Sequence, residues 1–189
     1  MKAYFALKLA GHKAHEPHMR KARQIILSLG GVAKANSYVK LYLCFFGQYD
    51  WECAPAIPPE VVLFPRFFPF NIYEMSSWSR TILVPLSILW ALKPYVRIPT
   101  DRGIDELFPD GRNPHALRLP RDKKLFSWRN FFLLTDRALH LFEKARVTPL
   151  RKKALRVAER WIRERLPKSG GLSAIFPAML NTIFAFKCL

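Results

Sequence analysis

The feature that most constrains the fold is an apolar, helix-like run from Trp78 to Leu92 with a clear start and a clear stop. Ser76 and Ser77 precede the run, and a serine oxygen there accepts the free N–H groups of a first helical turn. Lys93 and a proline follow it, and proline does not continue a helix. The sequence therefore predicts a long, capped core helix.

The segment before this helix is rich in proline and aromatic residues, and residues 50–70 hold too many prolines for a regular element. It ends in a cluster of polar side chains that includes Asn71, Tyr73 and Glu74. Glu74 and Arg80 are spaced to form an ion pair across the start of the helix. We expect this segment to fix how the chain enters the helix.

Glycines and prolines punctuate the rest of the chain and divide it into helices. Gly11 closes the first helix and Gly30-Gly31 the second. Besides the run that ends at Leu92, the predicted helices are residues 3–10, Met19–Leu29, Lys34–Gly47 and Phe126–Ala145. A last helix is capped by Thr148, has Pro149 at its first position and runs to Leu166. The prediction is an all-α chain.

A weak internal repeat supports stacked helical hairpins. Residues 4–9 match residues 183–189, and residues 19–32 match residues 150–172. Each copy reads as a helix, a Gly-Gly break and another helix, which is typical of repeat folds.

The charge is strongly basic and uneven, with 31 basic and 14 acidic side chains and a formal net charge of +17. Residues 51–95 are neutral, while residues 1–50 and 96–189 carry the excess, which favours an anionic partner. No zinc-finger spacing or RNA-binding motif is present, so a membrane surface is favoured over nucleic acid. The longest charge-free apolar run of the middle segment, Thr81–Leu92, is shorter than the roughly 20 residues of a membrane span.

Three stretches resemble the N-terminal half of squalene–hopene cyclases, which are bacterial triterpene cyclases. They are residues 69–80, the earlier Pro58-Pro59-Glu60, and Ala174-Ile-Phe-Pro-Ala-Met179. The resemblance extends from Ala3 to Leu189 and implies a partial α/α toroid, the double α-barrel of terpenoid cyclases, built from helical-hairpin repeats. Trp161, Gly170 and their neighbours keep the spacing of the family's QW repeat, with Leu166 and Leu172 in place of its Gln and last Trp.

On this interpretation residues 1–189 form part of one N-terminal domain with four segments. They are repeat helices in 1–50, the proline and aromatic approach with the cavity-wall helix in 51–95, a charged connection in 96–124, and repeat helices with a membrane plateau in 125–189. Because the repeats begin and end in mid-toroid, we expect the chain to be a fragment.

The resemblance implies the cationic polycyclisation of squalene in hopanoid biosynthesis, an isomerase reaction without redox cofactor or metal. In the family it starts when an aspartic acid of a DxDD motif protonates an alkene, which requires an unusually strong acid. No DxDD occurs here, and the nearest acids, around Asp101, Asp105, Glu106 and Asp110, are interpreted as a solvated surface cluster. We therefore expect no catalytic residue in this chain and no activity from it alone.

The resemblance assigns the remaining residues to the walls of a cavity. The substrate-cavity residues are Trp78, Ile175, Phe176, Pro177 and Asn181, and the substrate-channel residues are Met75 and Leu83. Phe176 and Asn181 stand where some members have polar residues near the cavity exit, so termination by water is not implied. Met75 and Leu83 are eight residues apart and are expected on one face of a helix.

Membrane contact is assigned to four aromatic residues, Phe126, Trp128, Phe131 and Phe132. The resemblance then implies a peripheral, monotopic protein on the cytoplasmic face of a bacterial inner membrane. The expected partners are squalene, the membrane surface and the remainder of the cyclase chain. A homodimer stays open, and no nucleic acid is expected.

Two other interpretations belong to different classes. The chain could be a non-catalytic, truncated basic helical module that binds membrane or other anionic partners, since residues 148–166 form a basic amphipathic helix. A basic nucleic-acid binder is the third class. His12, His15, His18 and Glu16 have a spacing that suggests a metal site, but Pro17 breaks the helix that such a site needs, so no metal is expected.

Overall fold

The computed structural model describes residues 1–113, 117, 122, 127–167 and 169–189. Within those residues the regular elements are α-helices and short 3₁₀ helices without a β-strand, which confirms the all-α prediction. The α-helices are α1 (Lys2–Leu9), α2 (Pro17–Ser28), α3 (Ser37–Phe45), α4 (Ser77–Leu92), α5 (Trp128–Lys144), α6 (Arg151–Arg165) and α7 (Phe176–Cys188). The predicted start of α5, at Phe126, lies outside the described residues.

Glycine ends the first three helices by the same local device. Gly11, Gly30 and Gly47 adopt positive φ angles of 104°, 92° and 63°. After α2 the Gly31 N–H donates to the Ile26 carbonyl at 2.9 Å and the Gly30 N–H to the Leu27 carbonyl at 2.9 Å, which is a Schellman motif. The glycine stops predicted from the sequence are therefore confirmed.

The chain divides into two compact units, and the first comprises residues 1–55 and 95–133. Its core includes Tyr4, Met19 and Val32, and α2 contacts the 3₁₀ helix Asp105–Leu107. The Glu106 carboxylate accepts hydrogen bonds from the Tyr4 hydroxyl at 2.8 Å and from Lys8 Nζ at 3.0 Å. The interpretation of Glu106 as a solvated surface acid is therefore wrong, because its partners lie on α1.

The second unit comprises residues 56–94 and 134–189 and is organised around α4. Helices α6 and α7 and the 3₁₀ helix Pro59–Leu63 all pack against α4. Val84, Ile88, Leu89 and Trp90 are almost completely buried. The first unit contains the predicted segments 1–50 and 96–124, and the second contains most of 51–95 and 125–189. The division into four segments stays a prediction.

Helix α4 begins and ends where the sequence predicts. The Ser76 side chain accepts a hydrogen bond from the Ser79 N–H at 3.1 Å, and Lys93 closes the helix in a left-handed conformation. In this described part of the chain Glu74 and Arg80 do not form the predicted ion pair, and the Arg80 guanidinium lies 5.6 Å from the ring centre of Tyr73.

The predicted start of α6 is too early. The helix begins at Arg151, and no side chain caps it. The Thr148 carbonyl, not its hydroxyl, accepts a hydrogen bond from the Arg151 N–H at 3.1 Å, so residues 148–150 form a turn before the helix. Thr148 and Pro149 match the sequence pattern of a helix cap, but in the structure both residues belong to the turn that precedes α6.

Candidate functional site

The candidate cavity residues lie in the second unit, at the starts of two helices that pack together, α4 and α7. Trp78 is on the first turn of α4 and is 58% exposed, and Phe176 is the first residue of α7 and 71% exposed. Ile175 is the N-cap of α7 and Pro177 occupies its first turn. Proline is well suited to a first turn because it has no N–H to satisfy.

The approach to Trp78 is held by one buried amide. Asn71 donates from Nδ2 to the carbonyls of Arg66 at 2.9 Å and Phe68 at 2.6 Å, and its Oδ1 accepts from the Tyr73 N–H at 2.7 Å. An amide buried in this way fixes the backbone on both sides of it. The polar cluster found in the sequence therefore works as a clamp on the chain before α4.

A second set of contacts brackets the same entry. The guanidinium groups of Arg66 and Arg80 lie 4.8 Å and 5.6 Å from the ring centre of Tyr73, within the range of cation–π attraction. Phe68 lies between two further rings, 4.8 Å from Phe64 and 6.1 Å from Phe70. This aromatic approach is solvent-exposed rather than part of the core.

The prediction that Met75 and Leu83 share a helix face is wrong. Met75 follows the 3₁₀ helix Ile72–Glu74 in an extended conformation, outside α4. Leu83 lies within α4, five residues after Trp78. The side chains of Trp78 and Leu83 are therefore about 140° apart around the helix axis. Any role of Met75 and Leu83 in one channel cannot come from helical spacing.

Helix α7 has two different faces. Ala178, Asn181, Thr182 and Ala185 are buried, and α4 is its main packing partner. The other face carries Phe176, Met179 and Ile183 at helical spacing, all exposed. The two residues predicted near the cavity exit therefore separate, because Asn181 is on the buried face and Phe176 on the exposed one.

The chain enters α7 through a left-handed turn. Residues 170–174 all have positive φ angles, including Leu172, Ser173 and Ala174, and each non-glycine residue there costs about 1–2 kcal/mol. Ser169 supports this turn, since its carbonyl accepts from the Ser173 N–H at 2.9 Å and its hydroxyl from the Leu172 N–H at 3.0 Å. Burial of Leu172 anchors the turn just before Ile175.

A cluster of charged side chains near Trp90 of α4 was not predicted from the sequence. Arg151 bonds the carboxylates of Glu60 at 2.8 Å and Glu143 at 2.7 Å, and Lys93 lies 3.5 Å from Glu143. The cations of Arg151 and Lys93 each lie 5.7 Å from the ring of Trp90. These residues are up to 91 positions apart, so no local sequence pattern predicts that they meet. The only indication in the sequence is that Trp90 belongs to the predicted core helix.

Two carboxyl groups of these clusters, those of Glu143 and Glu106, have lowered pKa values. Burial raises the pKa of Glu143, but the hydrogen bonds and charge of Arg151, with the charge of Lys93, outweigh it and hold that pKa below its ordinary value. Burial likewise opposes ionisation of Glu106, and hydrogen bonds from its own backbone, Tyr4 and Lys8 lower its pKa overall. Both carboxyl groups therefore favour the ionised form.

The aromatic residues assigned to membrane contact form one exposed cluster on α5. The ring centres of Trp128, Phe131 and Phe132 lie 5.5 to 6.2 Å apart, and all three side chains are exposed. Phe126 lies outside the described residues. Of the helices that the structure describes, none has the length and apolar composition to cross a membrane.

Comparison with known proteins supports the resemblance over the whole chain. The squalene–hopene cyclase N-terminal domain family matches residues 1–189. The chain is 39% identical to the squalene–hopene cyclase of Zymomonas mobilis and 34% identical to that of Alicyclobacillus acidocaldarius, in each case over 100% of this chain and 28% or 29% of the relative. It is 32% identical to the dammaradiene synthase of Dryopteris crassirhizoma over 27% of that protein. The chain thus spans less than a third of the length of these relatives.

Proposed function

Because the chain belongs to the squalene–hopene cyclase N-terminal domain family, whose fold is the expected partial α/α toroid, we propose that it forms part of a triterpene cyclase. The reaction of the whole protein is the cationic polycyclisation of squalene to a hopanoid skeleton. The contribution of these residues is a wall of the substrate cavity and a contact with the membrane.

The observation that carries this proposal is the exposed apolar surface at the starts of α4 and α7. Trp78, Phe176, Met179 and Ile183 are exposed on helices whose other faces are firmly packed. A cyclase folds its substrate against apolar contours, keeps water away and stabilises cations with the negative faces of aromatic rings. Ile175, Pro177 and Asn181 support the same wall, and Met75 and Leu83 border its channel.

We expect no proton donor for the first step among these residues. Glu106 and Glu143 are paired with cations, and the sequence contains no DxDD motif. We expect the acid to come from another part of the protein. The isolated 189-residue chain should therefore leave squalene unchanged; conversion by this chain alone would contradict the assignment of the acid.

The membrane contact is proposed for the aromatic cluster of α5, with Trp128, Phe131 and Phe132 entering the lipid. Exposed aromatic side chains on an amphipathic helix bind at a membrane interface, and a basic face adds attraction to anionic lipids. The net charge of +17 makes an anionic lipid surface a favourable partner. The protein would then be monotopic on the cytoplasmic face of a bacterial inner membrane.

The two exposed tryptophans allow a direct test in the whole natural protein that contains these residues. We expect Trp78→Ala to lower squalene turnover by about tenfold or more and to change the product distribution, since one cation–π contact in a dry site is worth about 2 kcal/mol. Trp128→Ala should keep the product distribution and weaken membrane binding. Products are separated by gas chromatography and identified by mass spectrometry.

The opposite outcomes are equally informative. If Trp128→Ala changes the products and Trp78→Ala does not, the assignment of the cavity wall is wrong. If the whole protein binds anionic vesicles but converts no squalene, the non-catalytic basic module becomes the better description. The net charge of +17 is the observation that supports the non-catalytic basic module as a second candidate function.

A further inference from the structure

Two histidines and a glutamate come together in the connection between α1 and α2, within the first unit. Nδ1 of His12 lies 2.8 Å from Oε2 of Glu16, and Nε2 of His18 lies 3.5 Å from the same oxygen. The His12 and His18 rings meet edge to face, with their centres 5.0 Å apart. The three ligand atoms all lie within 4.8 Å of one another.

The local backbone explains why these side chains meet. Gly11, at a φ of 104°, ends α1 in a Schellman motif, in which the His12 N–H donates to the Leu7 carbonyl at 3.0 Å. A turn follows, and Glu16 is the N-cap residue of α2. Pro17 then starts that helix and places His18 on its first turn. Pro17 therefore does not prevent a site here, because the three ligands lie around a helix start and not along a helix.

The Glu16 carboxylate is held in place by its own turn. Oε1 accepts a hydrogen bond from the Lys13 N–H at 2.7 Å, so that Oε2 faces the two imidazoles. A hydrogen bond of this kind orients a ligating carboxylate and is usual around protein metal sites. The hydrogen bond with His12, followed by that from Lys13, also lowers the pKa of Glu16.

Two basic side chains of this region, those of Lys13 and Arg102, bond other groups. Lys13 Nζ lies 3.5 Å from Oδ2 of Asp101. Arg102 donates to the Leu9 carbonyl at 2.8 Å, which also fixes the end of α1. The site thus combines two imidazoles with one carboxylate on a connection that is held at both ends.

We propose that His12, Glu16 and His18 bind one divalent first-row transition-metal ion, of which Zn²⁺ is the natural example. Imidazole and carboxylate are ligands of this class, while Ca²⁺ and Mg²⁺ take oxygen ligands. A tetrahedral ion with bonds of about 2.0–2.1 Å separates its ligands by about 3.3 Å, close to the contact of His18 with Glu16. The contact of His12 with Glu16 lengthens as the ion enters, and any proton shared there leaves to solvent.

The ion would tie the end of α1 to the start of α2. All three side chains are partly exposed, so the ion reaches the site from solvent and a water molecule completes its coordination. Its role is structural and separate from the cavity wall, so the site does not depend on the cyclase proposal.

The test uses the whole natural protein that contains these residues, stripped of metal with a chelator. Co²⁺ is titrated while its visible absorption is recorded, and Zn²⁺ is then added as competitor. We expect His12→Gln, Glu16→Gln and His18→Gln each to weaken the binding of Co²⁺ at this site by about tenfold or more. His15→Gln is the matched control, since His15 lies in the same connection outside the cluster, and should bind as the unchanged protein does.

Folding of each variant is checked by circular dichroism. X-ray absorption at the zinc edge of the unchanged protein gives a measurement that needs no variant, and we expect imidazole nitrogen and carboxylate oxygen ligands. Absence of saturable binding in the unchanged protein would overturn the proposal. Binding that survives Glu16→Gln combined with His18→Gln, loss of binding in His15→Gln, or a thiolate-bound ion would overturn it as well.

Discussion

Helices α4 and α5 are nearly equal in length, at 16 and 17 residues, and both are rich in large apolar side chains, but they differ in what covers them. Eight residues of α4 are buried, and none of α5 is. Helices α6 and α7 and a 3₁₀ helix pack around α4. The aromatic residues of α5 are instead exposed along one side, from Trp128 to Phe142.

The difference shows that apolar composition alone does not predict burial. The apolar residues of α4 surround the helix axis, which requires neighbours on several sides, whereas those of α5 form one stripe opposite polar residues. An exposed aromatic stripe on an amphipathic helix is suited to a membrane interface, and lipid is the partner proposed here. Four comparisons of variants test how far the two helices differ.

The largest difference is expected between their tryptophans. Trp90 of α4 is 1% exposed, while Trp128 of α5 is 73% exposed. Trp90→Ala should lower the free energy of unfolding by about 3–5 kcal/mol, because it leaves a large cavity. Trp128→Ala should change it by about 0.5 kcal/mol or less. Denaturant unfolding measures both, and similar losses from the two variants would contradict the difference in packing.

The charges that surround Trp90 give the next effect. Arg151→Ala leaves the carboxylates of Glu60 and Glu143 without their shared partner, which should cost about 3 kcal/mol. Lys152→Ala is the control, because Lys152 is an exposed cation at the next position of the same helix, and should cost about 0.5 kcal/mol or less. Equal effects in thermal or denaturant unfolding would show that this cluster does not support α4.

A smaller effect concerns the stripe of α5. Phe131 and Phe132 are about half exposed, at 48% and 52%, so lipid contact would bury roughly another half of each ring. Replacing both with serine should weaken binding to phospholipid vesicles by about 2 kcal/mol, or about thirtyfold, without loss of stability.

The control for the stripe is Phe176→Ser, which removes an exposed ring that is proposed to face substrate. It should leave vesicle binding unchanged. Binding that disappears in high salt, or that falls equally in the control, would indicate that lysine and arginine residues hold the membrane and that the aromatic stripe does not.

Sequence reasoning predicted the features that depend on neighbouring residues. Ser76 and Gly30 act through hydrogen bonds within one helical turn, so their roles could be predicted from local sequence. The bond of Arg151 to Glu60 spans 91 positions and depends on how α6 packs, which no local pattern contains. Pro85 lies inside α4, where its local effect is to end or kink a helix, yet packing on α6 and α7 sustains the helix through it.

The smallest effect is one in which the two helices should behave alike. Ser76 accepts a hydrogen bond from the Ser79 N–H at 3.1 Å, and Ser127 accepts one from the Asn130 N–H at 3.2 Å. Ser76→Ala and Ser127→Ala should therefore each cost about 1 kcal/mol of local helix stability. Amide hydrogen exchange of the first turns measures this. A cost at α4 alone would mean that the start of α5 is already frayed, and that its aromatic stripe orders only on a partner.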